Sequence, residues 1–130
     1  MPARLRPLAA ADIAAVLQRL DDAAAAGAAA EPDDVRHAVK HFLAVLAERF
    51  PGKSVEVRVP PYSVVQCVPG ARHTRGTPPA VVEADAATWI ALARGRLAFG
   101  DAVYGGKLSA SGERSDLSGY LPLTSDCPHQ

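Results

Sequence analysis

The chain is poor in cysteine: Cys67 and Cys127 stand alone among 130 residues. Two thiols do not make the disulfide framework of a small secreted scaffold, so a reducing cytoplasm is the simplest expected setting. An excess of one charge is also missing, since 14 Lys and Arg balance 14 Asp and Glu and charged residues make up only 22%. No basic field exists to hold a phosphate backbone, and nucleic acid is not an expected partner. No apolar run reaches the ~18–20 residues of a membrane span, so integral membrane association is not expected either. The early alanines are broken by Asp12, Arg19, Asp21 and Asp22. A signal peptide's basic start, compact apolar core and cleavage site are not found there.

Catalytic spacings are scarce as well. Ser109, Ser111, Ser115 and Ser118 sit among small residues, none of them in a G-x-S-x-G elbow. His37 and His41 have a metal-binding helix spacing, but Ala38 follows His37 where a zinc protease helix carries its glutamate. Both fall mainly off the apolar stripe of their helix, so two solvated histidines are expected rather than a metal site. Cys127-Pro128-His129 carries no stronger signal, and no metal or cofactor is expected. Cys67 lies in a strand, where a buried inert thiol is the ordinary case. A reactive one would need a cation such as Arg72 or His73, just beyond the Pro69-Gly70 turn, to lower its pKa.

What is present is the material of one domain, large enough to bury on the order of two-thirds of its unfolded surface. Asp12 is placed to cap a first helix carrying Ile13, Val16, Leu17, Leu20 and Ala24 and ending near Gly27. Asp33 and Asp34 open a second helix with an apolar stripe of Val35, Val39, Phe42, Leu43, Leu46 and Phe50, stopped by Pro51-Gly52. SVEVRV alternates strictly, as a half-buried strand does; Pro60-Pro61 breaks it, and YSVVQCV and AVVEA read as the next strands. Asp85 caps a helix through Trp89 that stops at Gly95. A short helix from Phe99 to Tyr104, a Gly105-Gly106 turn, a strand in KLSAS and a helical turn from Asp116 to Leu121 complete the series. Strands without a regular βαβ rhythm argue for α+β, with an antiparallel or mixed sheet and helices over one face. The expected division is a helix and linker over 1–32, the main body over 33–123 and a loose tail over 124–130, in one globular unit.

The run T-W-x-x-L-x-x-G-R-L from Thr88, followed by D-A-V-x-x-G-K-L-x-A-S-G from Asp101, resembles the C-terminal half of sterol carrier protein domains. Together with SVEVRVPPYSVVQCVPGARHTRGTPPAVVEAD upstream, it is similar to the small actinobacterial branch labelled bacterial sterol carrier protein orthologues. The likeness covers Val35 to Leu123. It implies a curved sheet of about five strands covered by helices, with an apolar cavity between them.

The resemblance implies a non-catalytic carrier of a fatty acid, acyl ester, sterol or other apolar ligand. Val57, Val64, Trp89, Leu92, Val103 and Leu108 are the expected lining. Arg72, His73 and Arg75, in the one polar cluster that local structure does not demand, are the candidates for a charged head group. The alternative for that loop is a solvated hairpin tip, or arginines paired with Glu83 or Asp85. Two rival functions stay open. One is a scaffold or accessory subunit with a closed cavity, as a homodimer or with a protein partner. The other is a small thioester-related enzyme using Cys67 and the Arg72–Arg75 loop.

Overall fold

The structure, a computed structural model, describes residues 5–70, 80–112 and 115–123. Four helices and four strands follow in the order α1 (Ala10–Ala25), α2 (Pro32–Arg49), β1 (Val55–Val59), β2 (Ser63–Cys67), β3 (Ala80–Ala84), α3 (Ala86–Ala93), α4 (Phe99–Tyr104) and β4 (Leu108–Ser111). A 3-10 turn at Ser118–Tyr120 comes last. The class is α+β. Among the described residues the sheet has four strands, not about five, in the order β2-β1-β3-β4. It is mixed: β1 pairs antiparallel with β2 and parallel with β3, and β3 pairs antiparallel with β4.

Register divides the sheet into two unlike faces. Val57 is opposite Val65 on one side and Val82 on the other, and Val82 faces Ala110. Opposed residues share a face, so this row and its neighbours Val55, Val59, Cys67, Ala80, Ala84 and Leu108 form the inner layer, most of it fully buried. The adjacent row, Val64–Arg58–Glu83–Ser109, is exposed throughout. The helices add Val39, Phe42, Leu43 and Leu46 of α2, Trp89, Leu92 and Ala93 of α3 and Phe99 and Ala102 of α4 to the core, which Leu117 and Leu123 also join.

The helix ends follow local chemistry. Asp85 accepts a hydrogen bond from the Thr88 N–H at 2.8 Å, the expected cap of α3. In α2, Pro32 fills the first turn, where its missing N–H leaves nothing unsatisfied, and Asp33 and Asp34 meet the positive end of the dipole. Asp12 is not a cap. α1 starts at Ala10 with Ala9 at the N-cap position and no side-chain bond, which leaves Asp12 inside the first turn. There a carboxylate still suits the dipole without closing the helix.

Between α2 and β1 the chain is held to the end of β2. The Phe50 carbonyl accepts the Val68 N–H at 2.5 Å and the Val68 carbonyl accepts the Ser54 N–H at 3.1 Å. Gly52, at φ 154°, passes so close that a Cβ on it would lie 2.2 Å from the Val68 oxygen. Val68 itself has φ 71° and is buried. A β-branched residue in that region carries roughly 1–3 kcal/mol of backbone strain, which the bonds on either side help hold in place.

Candidate functional site

α1 lies against α2 in antiparallel fashion. Leu8 meets His41 near one end and Arg19 meets Asp34 near the other. Between them is a cleft of about 570 Å³, within the range of small-molecule sites. α1 contributes Ala10, Ile13, Ala14, Leu17, Gln18 and Asp21 to it. These recur at three- and four-residue steps and therefore form one face of the helix, spanning roughly 16 Å at 1.5 Å per residue. Phe42 and Val45 of α2 and Leu123 complete the apolar floor.

Each end of the cleft is polar. At the Leu8 end, His41 and Arg49 line it. His41 is largely buried, its Nδ1 accepting the Leu8 N–H at 2.9 Å, which corrects the expectation of a solvated side chain. The segment before α1 covers a position that the α2 stripe alone would leave in water. Burial, and secondarily the positive Arg49, pushes the His41 pKa below its ordinary value. His37 is exposed, as expected. Among the described residues no three His, Cys, Asp or Glu side chains gather as a metal site.

At the far end two arginines close on one carboxylate. Arg94 places Nη1 and Nη2 2.9 and 3.0 Å from the two Asp21 oxygens, and Arg96 does the same at 3.1 and 3.4 Å. Hydrogen bonds from Arg94, then from Arg96, hold the Asp21 pKa down to about 2. The pair of forks is made possible by the end of α3. The Gly95 N–H bonds the Leu92 carbonyl and the Arg96 N–H bonds the Ala91 carbonyl. This is the double bond of a Schellman stop, and Gly95 takes the left-handed conformation it needs, φ 76°. The reversal brings residues 94 and 96 to the same side, and the Leu123 N–H, bonded to the Ala93 carbonyl at 2.8 Å, ties the last described segment beside them.

The six residues expected to line a common cavity are dispersed. Val57, Trp89 and Leu92 are packed in the core, and the Trp89 Nε1–H donates to the Val39 carbonyl at 3.3 Å. Leu108 is buried beside a small cleft with Pro60, Glu83, Asp85 and Lys107. Val64 is 51% exposed because its register partner is Arg58, on the open sheet face, and it lines a groove with Leu5, Ala47 and Gln66. Val103 is 41% exposed on α4, whose inward residues are Phe99 and Ala102. Arg72, His73 and Arg75 lie outside the described residues, as do Cys127 and His129. Cys67 is fully buried, and burial alone pushes its thiol up to about 12.

The sequence marked Ile13, Leu17 and Phe42 as apolar stripe and His41 by its spacing, but did not join them to Asp21, Arg94 and Arg96. The signal available was the pair of arginines bracketing the glycine that stops α3.

Among the described residues no helix is long and apolar enough to cross a membrane. The profile of the family described as bacterial SCP ortholog matches residues 31–123. No curated protein matches the chain. The matched span takes in α2, the sheet, α3 and α4 and leaves α1 outside.

Proposed function

Because the chain belongs to the bacterial SCP ortholog family, of sterol carrier protein-like proteins, we propose that it is a non-catalytic carrier of a lipid or other apolar ligand, working in the cytoplasm. The observation that carries this reading is the 570 Å³ cleft, with Ile13, Leu17, Phe42, Val45 and Leu123 as its apolar floor and His41, Arg49, Gln18, Asp21, Arg94 and Arg96 as its polar lining. A tail laid on such a floor gains about 0.8 kcal/mol for each methylene removed from water, so affinity needs no reacting group.

The alternative of a scaffold with a closed interior draws support from one fact: Val57, Trp89 and Leu92 fill the space between sheet and helices. The thioester-enzyme alternative has less behind it. A thiol held near 12 by burial, inside an apolar core, is almost wholly protonated at neutral pH and poorly nucleophilic.

Native mass spectrometry of the purified chain, followed by organic extraction, separates carrier from scaffold. A co-purifying lipid in substantial stoichiometry, displaced by added fatty acid, is the expected result. A bare protein that takes up no fatty acid, acyl-CoA or sterol would overturn the carrier reading.

A further inference from the structure

We infer that Arg94 and Arg96 form an anion subsite at one end of the α1 cleft, that Asp21 is its internal occupant, and that the carboxylate of a fatty-acid-type amphiphile takes Asp21's place. The inference rests on the carrier reading and adds the ligand's head group and its mode of entry. Two guanidinium groups are committed to one carboxylate, four N–H donors to two oxygens. A carboxylate has about four lone-pair sites, and the two forks fill them all, so this pair of arginines is arranged to take a whole carboxylate. The three side chains together carry an excess positive charge, and a protein with no net charge overall concentrates it at the end of an apolar trough.

Their exposures divide the labour. The Arg94 side chain is 14% exposed and fixed beneath α1, whereas Arg96 is 57% exposed and reachable from solvent. Asp21 is 35% exposed, so its carboxylate can be released to water without a buried charge being left behind. An incoming carboxylate meets Arg96 first, then takes over the Arg94 fork as Asp21 withdraws. Its chain then lies along Leu17, Ile13 and Phe42. No bond is made or broken; one carboxylate is exchanged for another on the same donors. α1 keeps its second tie throughout, because Arg19 donates three hydrogen bonds to the nearly buried Asp34.

An internal occupant is a tethered competitor, whose effective concentration is of the order of millimolar. Its removal therefore strengthens the binding of the true ligand, which distinguishes the idea from a merely structural ion pair. The test is calorimetric titration of the full chain with dodecanoate and with dodecan-1-ol, which share a tail and differ in charge. Dodecanoate is expected to bind at least tenfold tighter than the alcohol. Asp21→Asn should tighten dodecanoate by roughly tenfold while leaving the alcohol unchanged. Arg94→Gln with Arg96→Gln should bring dodecanoate down to the level of the alcohol. Arg96→Gln alone, at the more exposed position, should give part of that loss and guards against misfolding of the double variant.

Equal binding of acid and alcohol, unaltered in the variants, would overturn the anion subsite and leave the carrier reading standing. Weaker binding of both ligands in Asp21→Asn would also overturn it, by making Asp21 a strut. Failure of the unaltered protein to bind either ligand would overturn the subsite, and the carrier reading would fall with it only if acyl-CoA and sterol were refused as well.

Discussion

Leu8 donates its backbone N–H to Nδ1 of His41 at 2.9 Å, a bond that a protonated imidazole cannot accept. The native state therefore prefers neutral His41, and burial pushes its pKa the same way. In the unfolded chain the imidazole binds a proton near its ordinary value of 6.5. Stability from this group is thus complete above that value and is lost as pH falls from there toward the depressed native pKa. The urea midpoint should drop between pH 7.5 and pH 5.5. In His41→Gln the drop should be smaller; an equal drop would assign it to other groups.

Asp21 behaves in the same sense but at lower pH. Its native pKa is about 2 against an ordinary 3.8, so its contribution is present above 3.8 and disappears as pH falls from there through 2. The urea midpoint should fall over that interval. In Asp21→Asn it should fall less, the remainder belonging to carboxylates such as Asp34, which Arg19 also holds below its ordinary value.

Helix α1 should be the least protected of the two long helices. It buries Val16 alone, whereas α2 buries eight residues. Few buried contacts mean a low free energy of local opening. Hydrogen exchange should show α1 amides exchanging well before those of α2, and Arg19→Ala should accelerate α1 selectively. Uniform protection of both helices would contradict the prediction.

Gly52→Ala should destabilise the protein strongly. Its Cβ would lie 2.2 Å from the Val68 oxygen, on a backbone at φ 154°. About 2–4 kcal/mol is expected from the clash and the strain together. Gly27→Ala is the control, since φ is 69° there but no atom lies within 4 Å of the new methyl. Its loss should stay near 1 kcal/mol, the penalty of the left-handed backbone alone. Equal losses in urea unfolding would refute the steric argument.

Cys67 should be silent in the folded protein. In a Cys127→Ser background it becomes the single thiol, fully buried and pushed up to about 12. Ellman's reagent should react only after denaturation. Rapid reaction at neutral pH in the folded state would reopen the case for a nucleophile.

The parts of the fold that sequence made plain are the local ones. The alternation of Val55, Val57 and Val59, the Asp85 cap and the glycine stop at Gly95 each depend on a few neighbours, and each has the expected structure. Register is different. Val64 and Val65 are adjacent and equally apolar, so only the pairing with β1 decides that Val65 turns inward and Val64 outward. The cleft was less legible still. Asp21 and Arg94 are 73 residues apart, and His41 is buried by a segment 33 residues before it. No period within a helix encodes such contacts. Asp12 was misplaced for a milder reason: α1 begins on alanines, which propagate a helix without marking where it starts.

The sheet order β2-β1-β3-β4 also has a timetable. β1 and β2 join across a short turn, with Val59 opposite Ser63, the most local pairing in the sheet. β3 must then find the free side of β1 with all of β2 and the residues up to 79 intervening in sequence, in the parallel sense that forms slowly. Until it does, one long flank of β1 stands open to any other strand. The brief life of that flank, more than the stability of the finished sheet, sets how concentrated the nascent chain can become before it pairs with its neighbours.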